Sequence, residues 1–420
     1  MFKASDRTKK IILLVCSILI LFPLTFGLIK EYPYRSVFSI GVLMAIGTFL
    51  SIVIILIRVD RTTDLSGIRR LPTMLMMITG LGILVAFMHH ETGWSYLILA
   101  FDMIVVFPLL YAVETYRKDY RSIMISFSLP VMASAIFIFA LCIYKMIIGQ
   151  SVFFEGRYFG PLTNPNPMSM IGTYGVICSL YIAHISRRTM AQMIITGLSA
   201  GCGLAIILLG ASRTSALVLA GCILIEIIFL VKWKGSPIST PVIVFILAAS
   251  LLLIPVHFVR TTPGVQRIGY ASSEMEEGKV IGTLERFVKN GESLDTFSNG
   301  RLDIWRIYYE NLTIRGGDPE DIEREVRKTH HNANAHNNYL TIAYTCGIPT
   351  GIIYFLWVLC IGILGIKTIF GRRYILPEQC FAAMIIYSFA VQSMLDIAVF
   401  PFWNLPVCMF SFCIAPVFER

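Results

Sequence analysis

The sequence predicts an all-α polytopic membrane protein of about twelve transmembrane helices, with one long helical loop outside the membrane before the tenth span. Three observations predict it. Hydrophobic residues make up 56% of the 420 and charged residues only 15%, and the mean hydropathy is +0.73. A soluble chain of this length could not hide that much apolar surface. Apolar runs of about 20 residues, the length that crosses a bilayer, recur along the chain. Lys and Arg collect in the short connections, so the net charge of +9 reads as a topology signal and not as nucleic-acid binding.

The first run, 11–29, follows Lys3, Arg7, Lys9 and Lys10, has no small-x-small cleavage site and is long enough to span. It is read as the first transmembrane helix. The other candidate spans are 37–57, 71–88, 94–113, 123–148, 167–185, 190–209, 214–231, 240–257, 338–366, 377–396 and 398–416. The chain divides into spans one to nine (1–257), the loop (258–337) and spans ten to twelve (338–420). The ten cysteines all lie in or beside apolar runs, without CxxC or Cys/His metal spacing, and read as small buried hydrophobes.

Charges in the connections set the orientation. With the N-terminus inside, the inner connections carry Arg58, Arg61, Arg69 and Arg70; Arg117, Lys118 and Arg121; Arg187 and Arg188; Lys232 and Lys234; and Lys367, Arg372 and Arg373. The short outer ones are poorer in cations, which fits the positive-inside rule. Both termini are then expected in the cytoplasm, with the long loop on the outer side. Arg157, Arg213 and Arg301 fall on the outer side, against the rule. A charge at a span mouth, as Arg213 is in Ser212-Arg213-Thr214-Ser215, is costly without a partner. An anionic substrate would supply one.

The connection before span six, Arg157-Tyr158-Phe159-Gly160 followed by Asn164-Pro165-Asn166-Pro167, predicts turns and a helix start at Pro167 with Asn166 as its cap. In the long loop, 301–309 predicts a helix with Leu302, Trp305 and Tyr309 on one face and Ile304 and Tyr308 beside it. Asp318-Pro319 opens a second, charged helix through about Lys328. His330, His331 and His336 crowd the approach to span ten. A zinc site, a structural histidine and a general base are the three readings of His336; the spacing matches no usual zinc pattern. Asp102, Glu226 and Asp396 are ionisable groups within spans, candidates for internal pairing or function.

Taken in order, Ser298-Asn299-Gly300-Arg301-x-x-x-Trp305, Ala335-His336-Asn337-Asn338-Tyr339-Leu340 and Gly347-Ile348-Pro349-Thr350-Gly351 resemble the bacterial O-antigen ligase and O-antigen polymerase superfamily. The Arg157, Asn164-Pro165-Asn166 and Arg213 segments resemble it too. The resemblance implies transfer of a glycan from an undecaprenyl-diphosphate-linked donor to an acceptor hydroxyl on lipid A-core, another repeat unit or another surface acceptor. It implies that Arg213 holds the donor diphosphate with Arg157 and Arg301, and that His336 activates the acceptor. Asn337, Asn164, Asn166 and Asp396 would support them, with no metal or cofactor. Partners would be the bilayer, the donor, the acceptor and the glycan export pathway. Ligase and polymerase need the same donor clamp and base, so both stay open. The competing reading is a transporter or flippase of lipid-linked glycans; against it stand the lack of a repeat between the halves and the gathering of polar residues on one face. On the favoured reading the loop is a lid, and the site is shared between loop and span mouths.

Overall fold

A computed structural model of the chain describes residues 5–26, 29, 39–60, 62–90, 92–148, 152–154, 157–158, 160–162, 165–185, 189–232, 266–268, 301–330, 335–395 and 400–418. The expected ninth span, 240–257, lies outside them, as do His331, Asn164 and Asp396. Eight long helices come first: α1 (Asp6–Thr25), α2 (Ile40–Arg58), α3 (Leu71–His89), α4 (Trp94–Arg117), α5 (Tyr120–Ile147), α6 (Pro165–Ile185), α7 (Met190–Gly210) and α8 (Arg213–Lys232). The short helices α9 (Arg301–Glu310), α10 (Pro319–Arg327) and α11 (Asn338–Cys346) follow, then α12 (Ile348–Gly371), α13 (Pro377–Leu395) and α14 (Leu405–Cys413). Among the described residues, nine helices, α1–α8 and α12, are long and apolar enough to cross a membrane.

The burial pattern is that of a bundle whose solvent is lipid. Ile11, Val15, Leu19 and Phe22 of α1 and Phe49 and Leu56 of α2 point outward, and small and polar residues pack inward. Helix α6 runs through the middle, with every residue from Met168 to Ser179 buried. It crosses α7 so closely that a Cβ on Gly172 would stand 2.5 Å from the Gly203 carbonyl oxygen. Two buried carboxylates have partners, which offsets the cost of a low-dielectric interior. The Thr48 hydroxyl donates to Asp102 Oδ1 at 2.8 Å, and His184 Nε2 meets Glu226 Oε1 at 2.6 Å. Two of the three in-span carboxylates singled out in the sequence thus have internal partners. All ten cysteines are free, nine of them buried.

Two ends of the bundle differ in character. At one, the basic end, Arg58 forms a two-pronged ion pair with Glu114, its Nη2 donating at 2.7 Å, and also bonds the Asp119 carbonyl oxygen at 2.9 Å. Arg117 bonds the Arg58 carbonyl, Arg121 that of Ile185, and Arg70 that of Phe418. Lys232 Nζ donates to the carbonyls of Ile369 and Phe370 at 2.8 and 2.9 Å, closing the C-terminus of α12. The starts of α6 and α8 and the end of α13 lie at the opposite, loop end.

The structure corrects four local expectations. The tenth span is not one helix: the chain breaks at Gly347, whose φ of +87° ends α11 and starts α12. Helix α6 starts at Pro165, so Asn166 sits in its first turn and not at the cap; two prolines are tolerated there because first-turn N–H groups have no intrahelical partner. The last span is the short α14 followed by a 3₁₀ turn at Ala415–Phe418, sheathed by other helices, so it need not be a continuous lipid-facing rod. The helical class also admits a small sheet. Strand β1 (Val152–Phe154) pairs antiparallel with β2 (Arg157–Tyr158) and parallel with β3 (Gln266–Ile268), tying the connection before α6 to the long loop.

Candidate functional site

The loop residues 301–330 build a small cap. Ile304 and Tyr308 of α9, Ile322 and Val326 of α10, Ala335 and Tyr344 form its own apolar core. The face expected on α9 is therefore rotated: Ile304 and Tyr308 are buried, whereas Tyr309 is 71% exposed and Leu302 41%. Tyr308 packs edge-on against Tyr344 at 5.6 Å, which decides the rotation. Helix α10 is as expected, with Asp318 accepting from the Glu320 N–H at 2.9 Å. Its charges pair along the solvated side, Arg324 with Asp321 and Arg327 with Glu323.

The cap is fastened at the break between α11 and α12. The Gly317 N–H donates to the Tyr344 carbonyl at 2.8 Å, and the Ile348 N–H to that of Thr313 at 3.0 Å. A Cβ on Gly347 would lie 2.2 Å from the Ile314 carbonyl oxygen. The Gly347-Ile348-Pro349 segment singled out in the sequence is thus the seat of the cap.

His336 stands where cap and bundle meet. Trp305 Nε1 donates to the Ala335 carbonyl at 2.7 Å, holding the residue just before it. After it, Asn337 Oδ1 accepts from the N–H groups of Tyr339 and Leu340 at 3.0 and 3.2 Å, capping α11. Asn338, 1% exposed, donates from Nδ2 to the Ser393 hydroxyl at 3.4 Å. His336 is therefore pinned on both sides, and it adopts φ +50°, a left-handed conformation uncommon outside glycine. Burial, and secondarily the Arg301 guanidinium, push its imidazole down to about 4. Loop folding thus brings together two residues 35 positions apart in sequence, Arg301 and His336, close enough for electrostatic coupling.

Arg213 opens α8. The α7–α8 turn is tight: Ala211 takes φ +43°, and Ser212 Oγ accepts from the Ser215 N–H at 3.3 Å. A Cβ on Gly210 would meet Ser169 Oγ at 2.2 Å and the Pro165 carbonyl oxygen at 3.1 Å, so this turn lies against the start of α6, where Asn166 sits. Helices α8 and α13 run antiparallel. Glu226 meets Cys380, Cys222 meets Met384 and Ser388, and Leu217 meets Tyr387. Continued to the start of α8, that register brings Arg213 to the level of Ser393, the partner of Asn338. Arg213, Asn166 and the Asn337-Asn338 pair therefore share the loop end with His336 and Arg301. Arg157 lies in β2, opposite Phe154. Two residues deserve adding to those expected from sequence: Asn338, which links α11 to α13, and Trp305, which holds Ala335. Both stand inside the quoted segments. Their partners are distant in sequence, so their work was not readable there.

Residues 198–355 match the family model described as O-antigen ligase. Over those residues, under half of the chain, it is similar to the O-antigen ligase family. The matched stretch begins in α7 and ends in α12, so it encloses Arg213, Arg301, His336 and the Gly347 break, and supports the superfamily resemblance over that stretch. A search of curated proteins gave no match. With nine helices among the described residues long and apolar enough to cross a membrane, the chain has the make-up of a membrane protein, and its residues 198–355 are similar to the O-antigen ligase family.

Proposed function

We propose that the protein transfers a glycan from an undecaprenyl-diphosphate donor to an acceptor hydroxyl, with the loop end outside the cytoplasmic membrane and the basic end in the cytoplasm. The observation that carries this reading is the pairing of His336 with Arg301 at the seam between cap and bundle, on the end where α8 presents Arg213. The acceptor oxygen attacks C1 of the donor sugar and the C1–O bond to the diphosphate breaks. The electron pair leaves with the diphosphate, and the hydroxyl proton passes to His336. Negative charge grows on the leaving group, and fixed guanidinium groups there stabilise it where it develops. Arg213 and Arg301 supply them, with Arg157 carried on the adjoining strand; Asn164 and Asp396 are proposed as polar support.

The same electrostatics couple donor binding to the base. Unliganded His336 is neutral at pH 7 but weakly basic. A diphosphate beside Arg301 cancels part of the field that depresses the imidazole and strengthens the base only when donor is bound. Burial on both sides of His336 suits a neutral imidazole, and no metal enters the scheme.

The cellular test is direct. His336→Ala and Arg213→Ala are expected to abolish surface glycan attachment or extension at unchanged protein level, and normal glycan in either variant would remove that residue's role.

A further inference from the structure

A cavity of about 580 Å³ opens at the basic end, remote from the cap. It lies between the start of α3, the last turns of α12 and the C-terminal 3₁₀ turn, within the size range of about 300–1,000 Å³ usual for small-molecule sites. Four cations line it: Arg69, Arg70, Lys367 and Arg372. No carboxylate is among its described lining residues. Asp64, which interacts electrostatically with Arg69, is off the wall and engaged by the N–H and hydroxyl of Ser66. Arg70 is fixed by its bond to the Phe418 carbonyl, and α3 starts at this wall without a side-chain cap, so its N-terminal dipole adds to the positive field.

Cations gathered on the walls of one cavity give it a positive field that favours an anion. The remaining walls say which kind. Leu71, Pro72, Leu364, Val417 and Phe418 are apolar. Leu71, Met74 and Ile78 repeat at helical spacing and are 62%, 48% and 43% exposed, so an apolar stripe leads out of the pocket along α3. A free anion has no use for that stripe; an amphiphile has. We infer that this pocket binds the phosphate headgroup of an anionic membrane phospholipid, whose acyl chains lie along the α3 stripe. That the lipid comes from the cytoplasmic leaflet rests on the orientation proposed above; the binding itself does not.

The test is a titration of the purified full-length protein in neutral detergent, read by native mass spectrometry, with phosphatidylglycerol, phosphatidylcholine and inorganic phosphate in separate arms. Saturable binding of phosphatidylglycerol, little of phosphatidylcholine and no competition by phosphate is expected. The double variant Arg69→Gln/Lys367→Gln, at two exposed positions, is expected to weaken phosphatidylglycerol binding about fivefold per charge removed, whereas Arg69→Lys/Lys367→Arg keeps it. Equal binding of phosphatidylcholine, or unchanged affinity in the glutamine variant, overturns the site. Displacement of the lipid by inorganic phosphate overturns the lipid part and leaves a simple anion pocket. Since the readout is binding and not glycan transfer, its failure leaves the function of the loop end untouched.

Discussion

At the scale of single residues, the behaviour of His336 makes the sharpest predictions. Its imidazole is held down to about 4, so the free enzyme keeps a neutral base through the whole neutral range. The acid limb of kcat/KM, which reports the free enzyme, should fall near pH 4, and that of kcat, which reports the donor complex, should lie higher. Arg301→Gln removes the lesser of the two causes and should move the kcat/KM limb upward by part of the depression. An unmoved limb would show that Arg301 does not act on His336. The linkage sign follows. Between the ordinary value of about 6.5 and 4, the unfolded chain binds a proton that the folded chain does not. Thermal stability should therefore be flat above pH 6.5 and fall as pH drops through that window, and His336→Gln should flatten the fall. Loss of a general base typically costs about 10²–10⁴-fold, so His336→Ala should retain a trace of activity. Loss of one fixed charge at the leaving group costs about 10²–10³-fold, the figure for Arg213→Ala.

At the scale of elements, the cap and its seat decide whether those residues meet. Trp305→Phe deletes the bond to the Ala335 carbonyl, a loss of about 1 kcal/mol in stability. The variant should fold, bind donor and turn over slowly, so the damage should appear in kcat more than in KM. Gly347→Ala is harsher: its φ of +87° and the approach of the Ile314 carbonyl leave no room for a Cβ. It should cost about 1–3 kcal/mol and loosen the cap, read as faster proteolysis within 301–330. Much of this was legible. Charge order and Asp318-Pro319 gave α10, His336 stood out as a chemistry-bearing position, and Gly347 stood in a segment that carries the family resemblance. What escaped depended on tertiary contact. The buried face of α9 is chosen by Tyr344, some 35 residues on, and not by spacing within the helix. The break at Gly347 lies inside an unbroken apolar run, where hydropathy sees a single span. Asn337, expected in a supporting role, caps α11 through its Oδ1, a contact that its sequence neighbours did not announce.

At the scale of the whole molecule, the bundle is polarised. Its basic end is closed by arginine–carbonyl bonds and the Arg58–Glu114 pair, and its other end carries the cap. The positive-inside rule turns that polarity into an orientation. A Glu320→Cys variant, on a cap helix, should react with an impermeant thiol reagent on intact cells, and Arg373→Cys should react only after permeabilisation; the reverse pattern would invert the orientation. The native cysteines form a quiet background, since nine of the ten are buried. The bundle class, the basic connections and the late loop were readable from composition and charge alone, because lipid imposes one rule on every span. Charge put Arg213, Arg301 and His336 on one side, but the level of Arg213 follows from the α8–α13 register and the approach of Arg301 to His336 from the fold of the cap, and neither was readable there.

The most direct test of the central claim is single-turnover glycan transfer by the purified protein, supplied with undecaprenyl-diphosphate glycan and an acceptor in excess EDTA. The wild type is expected to form product and release undecaprenyl diphosphate, with His336→Ala slowed about 10²–10⁴-fold. A strict requirement for a divalent metal, or full activity in His336→Ala, would contradict it.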